Sequence, residues 1–266
     1  MSASISVRNV VKGFHLNRRG HFVVLEDVSF EVAAGEFVAL VGPSGCGKTT
    51  LLDLIGGLTQ ADRGQILIGG REIHGPGLDR GIVFQQYALF PWKTAQGNIE
   101  FGLEAKGVER HERKERARRF LDLVGLGAFA DRYPHELSGG MKQRVAIARA
   151  LAYEPDVLLM DEPFAALDAQ TRESLQDELL HIWQRTGTTV VFITHSIDEA
   201  IYLGQRVLVM AAAPGRITDT LPVHVRRDDL SEDIRSTPEF VRLRHEIWQL
   251  IRQRRGNAHL QVAHAA

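Results

Sequence analysis

Gly42-Pro43-Ser44-Gly45-Cys46-Gly47-Lys48-Thr49 is the stretch from which the rest of this chain is read. The octet fits G-x-x-x-x-G-K-[ST], the loop with which nucleoside-triphosphate enzymes cradle phosphates. Upstream, Glu36-Phe37-Val38-Ala39-Leu40-Val41 is a short apolar run ending at a glycine, as a buried parallel strand does. Downstream, Thr50-Leu51-Leu52-Asp53-Leu54-Ile55 places leucines at helical spacing, so the loop joins a strand to a helix. Gly42, Gly45 and Gly47 let the backbone turn sharply and aim N–H groups at phosphate oxygens. The helix that follows adds its positive N-terminal end. Lys48 brings a full charge to the outer phosphates, and the Thr49 hydroxyl is placed to bind Mg²⁺. Pro43, Ser44, Cys46 and Thr50 complete the candidate nucleotide-binding set.

The chain has 266 residues, enough for one large α/β domain or two small ones with a real core. Its 44% hydrophobic and 24% charged content is that of an ordinary soluble globular protein. A formal net charge of −1 gives no global field directed at nucleic acid. Cys46 is the single cysteine, which excludes an internal disulfide and fits a reducing compartment. No run of about eighteen apolar residues exists to span a membrane, and the opening residues lack a signal-peptide layout. If the protein works at a membrane, another chain is expected to bring it there.

Outward from the loop, Ser4–Val10 and Phe22–Val32 read as an initial antiparallel sheet. Gly64–Gly69 and Arg80–Phe84 read as further short strands, the second leading into Gln85. From about Pro91 to Leu137 the pattern turns helical, with Ala117, Phe120, Leu121 and Val124 as the apolar stripe of a highly charged helix. A helix follows Gly140, and Val157–Met160 and Thr189–Ile193 read as buried strands. Strands alternating with helices predict a mainly parallel core sheet with helices on both faces. Thr237-Pro238-Glu239 starts a tail helix whose Phe240, Leu243, Ile247, Leu250 and Ile251 share one face. A helix of this kind packs on its own domain, and Asn257–Ala266 reads as a frayed end.

Three further clusters carry chemistry. The strand Val157–Met160 ends in Asp161 and Glu162, where Asp161 can hold the Mg²⁺ shell and Glu162 can polarise water for attack on a γ-phosphate. Ser138, Gly139 and Gly140 stand at a helix start, so a hydroxyl, bare N–H groups and a helix dipole converge on a second anion site. One chain with one phosphate loop does not need two grips on one nucleotide; two copies arranged head to tail do. His195, after a buried strand, is placed to sense the γ-phosphate.

Taken together, the chain resembles the nucleotide-binding subunit of an ABC transporter over roughly residues 4–220. That resemblance implies an α/β P-loop NTPase cassette: a mainly parallel core sheet, an N-terminal antiparallel β subdomain and an inserted helical subdomain at about 91–150. The cassette would span 1–235, and 236–266 would form the tail helix and its end. Carried over position by position, Gln85 is the Q-loop glutamine and a metal contact. Leu137–Met141 is the signature, with methionine where glutamine is common. Asp168 belongs to the D-loop, His195 is the switch histidine, and Phe14 is the aromatic that stacks on adenine.

Finer features are similar to importers of nitrate, sulfonates and taurine: Gly75–Gly81, Val83-Phe84-Gln85, Phe90-Pro91-Trp92, Pro214–Ile217 and Thr237–Phe240. The expected function is therefore that of an ATP-hydrolysing subunit, using ATP and Mg²⁺, that energises uptake of a small anion. It would act as a homodimer on the cytoplasmic face of the membrane, with integral-membrane permease subunits and, indirectly, a solute-binding protein. Tyr87–Asn98 is the expected permease dock. The alternative is a soluble ABC ATPase of iron–sulfur assembly or of ribosomes or DNA; the lack of a basic face argues against nucleic acid.

Overall fold

The computed structural model describes residues 2–16, 20–212, 214–225 and 234–263. In chain order the elements are β1 (Ile5–Leu16), β2 (Gly20–Val32), β3 (Phe37–Val41), α1 (Lys48–Gly56), β4 (Arg63–Ile68), β5 (Arg71–Glu72), β6 (Arg80–Val83), α2 (Ala95–Ala105), α3 (Arg110–Leu123) and α4 (Gly139–Ala152). There follow β7 (Val157–Asp161), α5 (Ala169–Thr186), β8 (Thr189–Ile193), α6 (Ile197–Leu203), β9 (Arg206–Ala211), β10 (Arg216–Pro222) and α7 (Pro238–Ala263). They form two units: residues 3–76 with 189–266, and residues 77–188.

In the first unit the unbroken apolar runs become buried strands. Every residue of β3 and of β8 is buried. β3 pairs in parallel with β8 at Phe37↔Val190 and with β9 at Val38↔Arg206. β10 closes this edge antiparallel to β9. Phe37 and Phe192 meet with ring centroids 5.9 Å apart at the centre of the core. Burying each such side chain contributes roughly 1.5–3 kcal/mol. A separate antiparallel sheet runs in the order β2-β1-β4-β5.

β1 extends past Val10, where the sequence pattern ends, to Leu16. Register shifts between Val7 and Lys12 break the in–out alternation there, so the apolar signal stops although backbone pairing continues. The consequence is a hairpin that sets Phe14 directly across from Phe22.

In the second unit β6 pairs in parallel with β7, Arg80 opposite Val157. Helices α2, α3 and α4 pack on one another, and α4 also packs on β6 and α5. This unit, residues 77–188, contains the 91–150 segment read as helical together with β6, β7 and α5. Ala117, Phe120, Leu121 and Val124 are buried as their spacing requires. Gly107, at φ 78°, ends α2 and separates it from α3 within the region that read as continuously helical.

The sequence reading passed over α5, α6 and β9. α5 was legible, since Leu175, Leu179, Leu180 and Ile182 are buried at helical spacing. β9 is an apolar run like β3. α6 has 7 residues, too few to show a period. The tail helix buries Phe240, Leu243 and Ile247 against α6 and β9. It continues to Ala263, beyond Asn257 where the sequence suggested fraying, and residues 264–266 lie outside those described.

Candidate functional site

The phosphate loop runs from the end of β3 into α1. Gly47 stands at the N-cap of α1 with φ 96°, a conformation open to glycine alone at little cost. A Cβ there would also meet Leu25 Cδ2 at 2.6 Å, so β2 closes against the loop and leaves no room for a side chain. Lys48 is buried, and its ammonium donates to the carbonyls of Gly42 at 3.0 Å and Pro43 at 3.2 Å. The loop thereby wraps a fixed positive charge. Cys46 is buried beneath it; burial pushes its thiol up, opposed by the Lys48 charge. The cysteine side chain packs inside the loop. Ser44, Gly45 and Thr49 are exposed, and Pro43 lies buried with Gly42. Thr50 lies in the first turn of α1.

His195 is exposed one residue after the buried Thr194. The backbone around it is braced: Ser196 caps α6 by accepting from the Glu199 N–H at 3.3 Å. The Ser196 N–H donates to Thr194 Oγ1 at 3.0 Å, and Thr194 Oγ1 donates to the buried Glu199 carboxylate. Sequence reasoning missed Glu199, one of two adjacent acids in the first turn of α6, of which Glu199 is the buried one. Phe14 is 44% exposed and Phe22 51% exposed. Cross-strand partners lie on one face, so the hairpin presents two open rings, with Lys12 Nζ 5.4 Å from the Phe14 centroid.

In the second unit, β7 delivers Asp161, 8% exposed, at its end. Glu162 follows with φ 43°, a left-handed conformation that is strained for a side-chain-bearing residue and turns the chain off the strand. Asp168 caps α5, its Oδ1 accepting from the Thr171 N–H at 3.0 Å. That bond holds the carboxyl below its usual range.

Ser138 caps α4, accepting from the Met141 N–H at 3.3 Å. A Cβ on Gly140 would meet Thr171 Cγ2 at 2.6 Å, so α5 packs close against this glycine and the Thr171 side chain would have to shift for any larger residue. Gln85 is exposed after β6. Just beyond it Tyr87 and Ala88 take φ 58° and 47°. Arg149, in the last turn of α4, donates to both of their carbonyls, at 3.0 Å to Tyr87 and 2.6 Å to Ala88. One helix thus carries the signature at its start and holds the Gln85 loop at its end. Arg149 was not anticipated, because nothing in its helical spacing reveals a partner sixty residues away in sequence.

A nucleotide fits this donor set. The loop N–H groups, buried Lys48 and helix start match a polyphosphate, and the exposed rings match a base. Taken separately, Thr49 in the first unit and Gln85 and Asp161 in the second each carry the oxygen ligands that a hard divalent cation accepts. Loop, acid-ended strand, capped signature helix and strand-end histidine define a P-loop nucleoside-triphosphatase cassette.

Residues 25–165 match the family described as ABC transporter. The chain is 48% identical over 244 residues to the nitrate import ATP-binding protein NrtD of Synechocystis sp., covering 90% of this chain and 92% of that protein. It is 44% identical over 250 residues to the taurine import ATP-binding protein TauB of Jannaschia sp., covering 93% of each. Among solved structures it is similar, at TM-score 0.74 and 34% identity, to a dimeric ATP-binding cassette in a post-hydrolysis state bound to ADP and Pi. That match covers 83% of this chain and 99% of the other. The chain belongs to the ABC transporter family and is its nucleotide-binding, ATP-hydrolysing subunit.

Proposed function

We propose that two copies of this chain close on Mg-ATP and energise import of a small anion, of the nitrate, sulfonate or taurine kind, through a partner permease. The observation that carries this reading is that Ser138 caps α4, with Gly139 and Gly140 behind it, which supports a second anion site in a chain that already has a phosphate loop. The importer relatives support the cargo class. Nothing among them favours the alternative of a soluble ATPase serving iron–sulfur assembly, ribosomes or DNA.

In this reading Lys48, the loop N–H groups and Thr50 bind the phosphates, and Phe14 takes the base. Mg²⁺ would sit with Thr49, Gln85 and Asp161 and supply charge neutralisation at the phosphates. Glu162 accepts the proton of the attacking water, and His195 holds the γ-phosphate. Ser138–Gly140 of the second copy meets the same phosphate, so bound ATP joins the copies and cleavage releases them. Asp168, already fixed as the cap of α5, orders the D-loop segment at this closure.

Trp92 is 70% exposed, backed by Phe90 at 5.5 Å, with Phe101 against Phe90 at 4.6 Å. This aromatic surface, one turn beyond the Gln85 loop, is the dock for a permease's cytoplasmic segment, which would place the protein peripherally at the cytoplasmic face. Among the described residues no helix is long and apolar enough to cross a membrane.

The test is Glu162→Gln. ATP affinity is expected to hold, hydrolysis to fall by about 10²–10⁴-fold, and light scattering with Mg-ATP to give a stable dimer. A variant that stays monomeric in saturating Mg-ATP would overturn the shared site.

A further inference from the structure

The nucleotide-binding and catalytic candidates above all lie upstream of residue 196, yet the tail helix reaches the phosphate loop and His195. Phe240, Leu243 and Ile247 bury one face of α7. The adjacent face carries Trp248, Ile251 and Arg252, at i, i+3 and i+4. These three side chains line a cavity of about 410 Å³ together with Gly42 and Ser44 of the phosphate loop and His195. An ion pair from Arg244 to Asp198 on α6, at 3.9 Å, adds to the apolar contacts that hold the helix beside the segment bearing His195.

The lining of this cavity is one-sided in charge. Among the described residues no carboxylate lines it, whereas a guanidinium, a hydroxyl, an imidazole and the phosphate loop do. The Arg252 guanidinium lies over the Trp248 ring, 5.0 Å from its centroid. Stacking restricts the side chain without consuming its N–H donors. A planar fork of donors at the mouth of a loop that binds phosphate is suited to a tetrahedral oxyanion, which it can contact with two N–H groups at once.

We propose that Arg252 is a phosphate-binding residue of this ATPase. It contacts the terminal phosphate of the nucleotide, either as the γ-phosphate before cleavage or as free phosphate after it. The inference rests on the reading of the phosphate loop as the nucleotide site. It adds a cation from α7, outside the family motifs, and gives the tail helix a role in the reaction.

The experiment uses full-length Arg252→Ala and Arg252→Lys, alone and in the Glu162→Gln background. Residue 252 is exposed, so both variants are expected to fold; circular dichroism checks this. Calorimetry gives ATP and ADP affinities in the Glu162→Gln background, and inorganic phosphate is titrated as an inhibitor of the hydrolytically active protein. The expected result for Arg252→Ala is about a tenfold loss, near one charge-assisted contact, with ADP affinity unchanged and partial recovery in Arg252→Lys. Loss on ATP assigns the contact to the γ-phosphate; loss confined to phosphate inhibition assigns it to the released ion.

An equal loss for ATP and ADP would overturn the proposal, since it would mark a structural effect. Unaltered nucleotide affinities with unaltered phosphate inhibition would overturn it too, as would a change limited to self-association. A wild-type chain that fails to bind ATP would remove the parent reading as well, whereas intact wild-type binding with an indifferent Arg252→Ala removes this inference alone.

Discussion

At the scale of single residues, chemistry and stability pull in opposite directions at Glu162. Its left-handed φ of 43° costs on the order of 1–3 kcal/mol for a non-glycine residue. Glu162→Gly is expected to relieve that strain and stabilise the protein by about 1 kcal/mol in urea unfolding while abolishing hydrolysis. Glu162→Gln keeps the strain, so it should lose hydrolysis with no gain in stability. Gly140 presents the opposite case. Its missing side chain makes room for Thr171, and Gly140→Ala is expected to cost about 1–3 kcal/mol by overpacking. Pairing it with Thr171→Ser, which removes the opposing methyl, should restore much of the loss. Gly140 was legible in the sequence as a glycine at a helix start, but the Thr171 methyl that crowds it lies on α5 and could be seen only in three dimensions.

Among elements, α4 matters most, because its two ends serve different loops. Replacing Arg149 by methionine removes the two donors that hold Tyr87 and Ala88 in left-handed conformations. Melting is expected to show a loss of about 1–3 kcal/mol. ATPase assays should show a fall in kcat with little change in KM, because the Gln85 loop loses its support while the phosphate loop does not.

Tyr153, at the end of the same helix, donates to the Arg80 carbonyl at 3.0 Å, and burial pushes its hydroxyl up to about 12. The folded state therefore keeps the proton when the unfolded chain, near 10, has released it. This contribution is complete below about pH 10 and is lost as pH rises toward 12. Tyr153→Phe, which cannot ionise, is expected to flatten the fall in stability over that window. An unchanged alkaline slope would show that Tyr153 does not titrate as described.

At the scale of the whole molecule the question is what joins hydrolysis to transport. Trp92 is far more exposed than an aromatic ring serving only a core. Trp92→Ala is expected to leave basal ATPase activity and melting unchanged while removing the stimulation that a reconstituted permease gives. Equal stimulation of Trp92→Ala and wild type would place the dock elsewhere. The cargo is expected to leave no trace in this subunit's binding behaviour, because the residues around the nucleotide address phosphates, metal and base. Calorimetry with nitrate or taurine alone should therefore register no specific binding.

The sequence by itself determined the family, and it placed the glycine-rich loop before α1, the acid-ended strand β7, the Ser138 helix start and the strand-end His195. Each of these is a local arrangement, in which a few adjacent residues of fixed type must stand between a strand and a helix, so the order of residues is sufficient. It also carried the buried strands β3, β7 and β8, whose apolar runs have one physical solution. Tertiary structure alone decided that Arg149 holds the Gln85 loop, that Thr171 packs against Gly140, that Phe22 stands beside Phe14, and that α7 brings Arg252 to the phosphate loop. Those relations join residues far apart in the chain, and which distant side chains meet is fixed by packing and register rather than by any local pattern.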